Sequence, residues 1–161
     1  MGEDLLTFIP ALRAYAWTLT RRHQEVDDLV QETLTRAIAK QHLYKNGTNL
    51  RAWLMTIMRN TFLNQIVKTT RERPGNADCV SASPSAPPSQ EWSIRGNEIM
   101  DAINQLPTHY RETLVLVVML GEPYESAAQI CDVAVGTIKS RVRRARSMVL
   151  ERLEVVSQDD I

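Results

Sequence analysis

The sequence predicts an all-α protein made of two small helical domains joined by a flexible linker, and three observations carry this prediction. Apolar residues recur with the three- and four-residue spacing of helices in both halves of the chain, and no stretch of useful length alternates as a β-strand does. A segment rich in Pro, Ser and Ala separates the halves. The 161 residues are 43% hydrophobic, enough for two small cores, and they include no apolar run long enough to span a membrane.

The first half, residues 1–73, is expected to contain three helices. Apolar side chains spaced by three and four residues mark a first helix over about 5–19 and a second over about 26–38. Such spacing gathers the apolar side chains on one face of each helix, so both helices are expected to pack with that face against a shared core.

The third helix of this half is expected to be central. Gly47 interrupts the preceding pattern, and Thr48 or Asn49 can cap a helix that runs to about Lys68. Its apolar residues lie on most of its sides: Leu50, Trp53, Leu54, Ile57, Met58, Phe62 and Ile66. A helix of this kind is best buried by two neighbours.

A linker is expected over residues 74–91. The 17 residues from Pro74 to Gln90 include four Pro, four Ser and three Ala. This composition cannot bury enough apolar surface to fold, and it is typical of a semi-extended, flexible connection. Cys79 is expected to lie in this linker as an exposed thiol.

The second half, residues 92–161, is expected to contain four helices. The first begins near the start of this half and runs to Gln105; Pro107 then opens the second, which ends at Gly121. Pro123 precedes the last two helices, which carry the strongest functional signal.

Those last two helices are predicted over 124–131 and about 136–155, separated by a turn of four or five residues, an arrangement typical of a helix-turn-helix. On the final helix, five apolar residues form the stripe expected to be buried: Ile138, Val142, Ala145, Val149 and Leu153. The opposite face carries donors and no acid: Gly136, Thr137, Lys139, Ser140, Arg143, Arg144 and Ser147. Such donors suit phosphates and base edges, although a basic surface helix that binds nothing remains an alternative.

The formal net charge is zero, but charges of opposite sign are segregated along the chain. Residues 137–152 carry a net charge of +5 and residues 51–73 one of +4, whereas residues 98–132 carry −5 and residues 1–32 carry −3. Because a polyanion responds to local patches, overall neutrality does not exclude nucleic-acid binding. Each half offers a basic segment suited to DNA and an acidic one suited to protein; four solvated helix faces are the alternative.

Other functional classes find little support. Two cysteines are too few for a disulfide-stabilised fold and favour a reduced, cytoplasmic compartment. The three histidines are not spaced with them as metal ligands, and no phosphate-binding glycine loop, catalytic triad or carboxylate pair is present. We expect no metal, cofactor or small-molecule substrate, no membrane insertion and no enzymatic activity.

Three motifs lie in order along the chain, on both sides of the linker. They are Asp27-Asp-Leu-Val-Gln-Glu-Thr-Leu-Thr-Arg36, Gly47-Thr-Asn-Leu-Arg-Ala-Trp-Leu-Met-Thr-Ile-Met-Arg-Asn-Thr-Phe62, and the segment from Tyr124 that contains Val135-Gly-Thr-Ile-Lys-Ser-Arg141. Together they resemble the group IV, or extracytoplasmic-function, sigma factors of bacterial RNA polymerase. The second and third motifs most resemble the alphaproteobacterial general-stress-response subgroup.

The resemblance implies a role for each matched position. Four residues would dock on the clamp helices of the polymerase β′ subunit: Asp28, Gln31, Glu32 and Arg36. At the −10 promoter element, Tyr44 and Asn60 would hold a flipped base, and the loop from Lys45 to Asn49, with Asn46 and Asn49, would form its pocket. Arg59, on the less apolar face of the same helix as Asn60, could hold a phosphate. Six would contact the −35 element in the major groove: Gly136, Thr137, Lys139, Ser140, Arg143 and Arg144. Taken alone, Tyr44 can equally be a buried side chain with a satisfied hydroxyl, and Glu32–Arg36 a surface pair.

As a whole, the resemblance implies a sigma factor that binds core RNA polymerase and promoter DNA, acts in a stress response and is held inactive by an anti-sigma protein. Two rival functions stay open. A stand-alone helix-turn-helix regulator would bind palindromic sites without polymerase, usually as a dimer. A sigma-mimicking adaptor would bind an anti-sigma protein and not DNA, and would have lost the basic residues of the last helix.

Overall fold

Helices make up all the regular structure of the described residues, as the apolar spacing predicts. The computed structural model describes residues 2–72 and 94–159. The predicted linker over 74–91, with Cys79, lies outside the described residues. The chain divides into two compact units, Met1–Ser85 and Ala86–Ile161.

Over residues 2–72, the N-terminal unit holds four α-helices and one 3₁₀ turn: α1 (Gly2–Thr7), α2 (Ile9–Thr20), α3 (His23–Ala39), the 3₁₀ turn (Gln41–Leu43) and α4 (Leu50–Glu72). The sequence predicted a single helix where α1 and α2 form. The two helices separate at Phe8. Pro10 lies in the first turn of α2 and has no backbone N–H to donate to the turn before it, which explains the break.

The core of this unit lies between α2, α3 and α4, each of which packs against the other two. Leu12 of α2, Leu29 of α3 and Leu54 of α4 are fully buried in it. On α3, Ala37 faces this core with no exposed surface, which leaves the neighbouring Ile38 59% exposed. The predicted apolar stripe of α3 therefore holds up to Ala37 and not to Ile38.

The first half of α4 meets the expectation of a central helix, but its second half does not. Asn49 caps the helix, because its side-chain oxygen accepts a hydrogen bond of 3.1 Å from the backbone N–H of Ala52. Met55 and Met58 are fully buried. Beyond them the helix continues to Glu72, with three apolar side chains that are 39–50% exposed: Leu63, Ile66 and Val67.

In its described part, residues 94–159, the C-terminal unit holds four α-helices: α5 (Ile94–Asn104), α6 (Thr108–Leu114), α7 (Tyr124–Cys131) and α8 (Val135–Asp159). From α6 the chain continues into a π-helical turn over Val115–Met119, so helical structure ends close to Gly121, as predicted. Gly121 has a φ of +71°, a conformation that suits glycine and turns the chain away. Within the π-helical turn, Val118 and Met119 stay 47% and 42% exposed.

The long helix α8 is the organising element of this unit, because α5, α6 and α7 all pack against it. Ala145 and Val149 of α8 share one core with Ile103 of α5 and Leu114 of α6. Leu106, between α5 and α6, belongs to the same core. This packing fixes one face of α8 toward the core and leaves the other toward solvent.

Candidate nucleic-acid interface

A tight turn joins α7 to α8. It covers three residues, Asp132–Ala134, and is shorter than the four or five predicted. Asp132 adopts the left-handed conformation, with φ 55° and ψ 49°, as expected for the residue that ends the first helix. Aspartate tolerates this conformation better than most residues other than glycine. The backbone N–H of Val133 donates to the carbonyl of Ala128 at 3.0 Å, which closes α7.

The predicted apolar stripe of α8 is confirmed. Ile138 and Ala145 have no exposed surface, Val142 and Val149 are buried, and Leu153 is partly buried. On α7 the facing residues are small: Ala127 and Ala128 are both buried. Their single methyl groups let the two helices approach closely, which is what a rigid helix-turn-helix requires.

The opposite face of α8 is solvent-exposed and basic. A shallow depression on it is lined by Gly136, Lys139, Ser140, Arg143, Arg144, Ser147, Met148 and Glu151. Five of the six predicted −35 residues are therefore together on one exposed surface. Thr137, the sixth, is half-buried. It is linked to this surface by its backbone carbonyl, which accepts a hydrogen bond of 3.3 Å from the hydroxyl of Ser140.

One aromatic ring lies beside this face. The ammonium nitrogen of Lys139 is 5.9 Å from the centroid of the Tyr124 ring, within the range of a cation–π attraction. Tyr124 is half-buried and is the first residue of α7. The sequence pattern did not predict a role for Tyr124. It shows only an aromatic residue at the start of the first helix of the helix-turn-helix, and the contact with Lys139 depends on how the two helices pack.

The candidate −10 residues are grouped around the start of α4. The hydroxyl of Tyr44 donates to the backbone carbonyl of Thr48 at 2.8 Å, and the hydroxyl of Thr48 donates to the carbonyl of Lys45 at 2.7 Å. Gly47, with a φ of +89°, lets the loop turn between them. Both Asn46 and Asn49 are exposed along this loop.

Trp53 extends this site along α4. Its ring centroid lies 5.2 Å from that of Tyr44, with the two ring planes at 47°. Asn60 is exposed and follows Trp53 by two helical turns, so the two lie on the same side of α4, about 10 Å apart along the axis. Arg59 beside it is half-buried and takes part in interactions of its own. Trp53 was predicted as a core residue only, yet it is half-buried and gives a second aromatic surface.

The candidate polymerase-binding residues lie on the solvent side of α3. Asp28 and Gln31 are exposed. Glu32 and Arg36 are half-buried and form an ion pair, with 2.8 Å between Oε1 of Glu32 and Nε of Arg36. This pair is what a solvated helix face would also contain, and such pairs add little stability. Asp28 and Gln31 are the accessible polar groups of this surface.

Two other features, a membrane-spanning helix and a metal site, are absent from the part of the chain that the structure describes. Over residues 2–72 and 94–159, no helix combines the length and the apolar character needed to cross a membrane. In that same part of the chain, no three side chains among His, Cys, Asp and Glu are grouped as a metal site requires. Cys131 is a buried thiol of α7 and packs in the core.

Two family models match the chain, one on each unit. The model described as Sigma-70 region 2 matches residues 6–72, and the model described as Sigma-70, region 4 matches residues 96–149. The first spans α2, α3 and α4, and the second spans the helix-turn-helix with α5 and α6.

Known proteins extend the match over nearly the full chain. The ECF RNA polymerase sigma factor EcfG of Rhodopseudomonas palustris is 42% identical over 160 residues, which cover 99% of this chain and 88% of that protein. The sigma factor RpoE from Bartonella quintana, solved in complex with the anti-sigma factor NepR, is 44% identical, with a TM-score of 0.84 and 96% of each chain covered. A PhyRSL–NepR complex from Sphingomonas sp. Fr1 matches with a TM-score of 0.69 at 19% identity, over 93% of this chain and 87% of that chain. At this identity the match shows a shared fold alone.

Proposed function

The chain belongs to the extracytoplasmic-function sigma factors of RNA polymerase, and from this premise we propose how its two units divide the work. The N-terminal unit docks on core polymerase and captures the −10 element, and the C-terminal unit binds the −35 element. The observation that carries the proposal is the exposed donor face of α8, in a chain whose halves match both sigma-70 regions.

Docking on the polymerase clamp is assigned to α3. Asp28 and Gln31 project from its exposed side, and Glu32 and Arg36 flank them as a preformed ion pair. The buried residues of the helix face the other way, toward α2 and α4. A partner can therefore cover this polar surface without disturbing the core.

Capture of an unstacked −10 base is assigned to the Tyr44 loop and the adjoining face of α4. An extruded base needs a stacking surface and an amide for its edge. Tyr44 and Trp53 offer aromatic surface, whereas Asn46, Asn49 and Asn60 offer amides. Arg59 is a candidate for the accompanying phosphate. The hydroxyl of Tyr44 already has a partner in Thr48, so the ring is the part available to DNA.

Binding of the −35 element is assigned to the exposed face of α8. Lys139, Arg143 and Arg144 can reach phosphates or guanine edges, and Ser140 can reach a phosphate. Gly136 and Thr137, at the start of the helix, allow the backbone to approach DNA closely. Because the two DNA-binding units are tethered, their combined affinity depends on the spacing of the two promoter elements.

An anti-sigma partner and a role in a stress response are proposed from the relatives. The 44% identical sigma factor from Bartonella quintana was solved with its anti-sigma factor NepR. In this chain, each unit has exposed apolar side chains that such a partner can contact: Leu63, Ile66 and Val67 on α4, and, separately, Val118 and Met119 after α6. We propose that a protein bound to these side chains keeps the chain from core polymerase.

We assign the chain no catalytic role, cofactor or small-molecule substrate, and we place its work in the cytoplasm, where the polymerase is. The sigma-mimicking adaptor is less consistent with the exposed Lys139, Ser140, Arg143 and Arg144, which an adaptor has no use for. The stand-alone regulator does not need an exposed polar face on α3.

Transcription in vitro tests the proposal. Purified chain, core polymerase and a library of promoter-sized DNA fragments should yield transcripts with defined start sites, whereas core polymerase alone should yield none. An anti-sigma protein of the NepR kind, added with the chain, should suppress those transcripts. A folded chain that supports no initiation on any fragment would refute the proposal. Tight binding to a palindromic site without polymerase would favour the stand-alone regulator.

A further inference from the structure

Tyr124 and Lys139 meet across the α7–α8 turn, and the arrangement holds the ring more firmly than the ammonium. Tyr124 opens α7 directly after Pro123, whose φ of −59° is fixed by its own ring. The helix that follows is buried through Ala127 and Ala128. The aromatic ring therefore stands on a rigid element, and Lys139 extends toward it from the first turns of α8, with 5.9 Å between the ammonium and the ring centroid.

Apart from the contact with the Tyr124 ring, the charge of Lys139 is available to interact with DNA. It makes no ion pair with any residue in the part of the chain that the structure describes. A lysine side chain has four rotatable bonds, and fixing it on binding costs conformational entropy. An ammonium already confined beside an aromatic ring loses less of that entropy when DNA binds.

We propose that Tyr124 is a positioning residue for promoter reading: its ring restricts Lys139 to the orientations that reach a base edge, and so sharpens the preference for guanine at that position. Guanine is the expected base because its N7 and O6 acceptors are the usual major-groove partners of a lysine. The inference rests on the proposed −35 function of α8 and adds a residue that lies outside the donor face itself.

A direct contact is the competing role for Tyr124. Its hydroxyl could instead donate to a DNA phosphate, in which case the ring would matter only as a support. The two roles separate cleanly at one atom, because Tyr124→Phe keeps the ring beside Lys139 and removes the hydroxyl. Tyr124→Leu removes the ring and keeps an apolar side chain at a half-buried position.

The experiment uses the holoenzyme formed by the full chain and core polymerase. Wild-type holoenzyme selects promoters from a DNA library randomised over the −35 region, and the selected sequences define a base preference at each position. The same selection is then made with Tyr124→Phe, Tyr124→Leu and Lys139→Met. Glu125→Gln, an exposed change at the next residue of α7, is the matched control. The melting temperature of each variant reports folding.

We expect Tyr124→Leu and Lys139→Met to lower discrimination at the same base position, by about two- to five-fold for the tyrosine change, as the strength of an exposed cation–π contact implies. Tyr124→Phe and Glu125→Gln should keep the wild-type preference. The inference is overturned if Tyr124→Phe loses as much as Tyr124→Leu, or if the leucine variant keeps the preference that Lys139→Met loses. Should Tyr124→Leu fail to fold, Tyr124→Met, which also removes the ring and keeps an apolar side chain, takes its place in both comparisons.

Failure of the proposed function and failure of the positioning role give different results in this experiment. If wild-type holoenzyme selects no promoter at all, the proposed function fails. If it selects promoters and the position read by Lys139 does not respond to Tyr124, only the positioning role fails.

Discussion

The hydroxyl of Tyr44 donates a hydrogen bond to the backbone carbonyl of Thr48 at 2.8 Å, and this bond closes the loop that precedes α4. The same loop is tied a second time, by the hydroxyl of Thr48 to the carbonyl of Lys45 at 2.7 Å. With its polar end engaged and its ring 5.2 Å from that of Trp53, Tyr44 presents a side chain whose orientation is set before DNA arrives. Preorganisation of this kind lowers the cost of binding an unstacked base.

Replacing Tyr44 separates its two contributions. Tyr44→Phe removes one hydrogen bond, worth about 0.5–1.5 kcal/mol, and keeps the stacking ring. Tyr44→Leu removes the ring, and loss of base–aromatic stacking costs about 1–3 kcal/mol. With 2-aminopurine at the flipped −10 position, we expect the fluorescence increase on promoter opening to persist in the phenylalanine variant and to be largely lost in the leucine variant. Equal signals from wild type and Tyr44→Leu would remove this residue from the −10 site.

The sequence predicted the helices best where local residues mark their ends. Pro107, Gly121 and Pro123 delimit the helices of the C-terminal unit, because proline and glycine constrain the backbone whatever surrounds them. The break between α1 and α2 was missed, because the apolar spacing continues through Phe8 although Pro10 lacks the backbone N–H that a continuous helix needs there.

The features of the candidate sites also differ in whether the sequence predicts them. The donor face of α8 was predictable because a helix repeats regularly, so Ile138 and its partners fix the buried side and Lys139 falls on the other. The contacts of Tyr124 with Lys139 and of Tyr44 with Trp53 were not predictable. Each joins two elements whose relative placement depends on tertiary packing, which periodicity does not encode.

Reversing the charge of Asp28 tests the polymerase-binding surface. Because Asp28 is exposed on α3 and has no role in the core, Asp28→Lys should leave the fold intact. If Asp28 docks against basic groups of the polymerase, lysine in its place sets like charges against each other across the interface, which costs several kcal/mol. The substitution should then weaken core binding at least about ten-fold. Glu154→Lys makes the same charge change at an exposed position of α8 and should leave binding near wild type. Binding to fluorescently labelled core polymerase measures both, and equal affinities would argue against α3 as the docking helix.

Two non-glycine residues with a left-handed backbone conformation predict where stability can be gained. Asp132 and Arg21 have φ values of 55° and 59°, and each ends a helix in a different unit. Glycine adopts this conformation without the steric cost of a Cβ, so Asp132→Gly should stabilise the C-terminal unit by up to about 1 kcal/mol. Asp132→Val should destabilise it by about 1–2 kcal/mol, because a β-branched residue is least compatible with positive φ.

Urea denaturation, monitored by hydrogen exchange so that the two units are resolved, measures the change in the free energy of unfolding of each unit. Arg21→Gly is the matched change and should affect the N-terminal unit alone. A gain from Asp132→Gly that appears in the N-terminal unit, or a valine variant as stable as wild type, would contradict the role of the turn.

Removing the guanidinium of Arg144 should change the salt dependence of promoter binding and leave polymerase docking unchanged. Arg144 lies on the exposed donor face of α8, where a phosphate contact would release counterions from DNA. For holoenzyme binding to a promoter, Arg144→Ala should lower affinity and reduce the slope of log affinity against log salt by about one.

Arg152→Ala is the matched control for Arg144→Ala. Arg152 is an exposed cation of the same helix, and it is hydrogen-bonded to Gln105 of the same unit, away from the donor face. We expect the control to keep the wild-type slope. If both variants shift the slope alike, binding depends on the overall charge of α8 and not on the donor face; if Arg144→Ala also loses core binding, the division of labour between the two units is wrong.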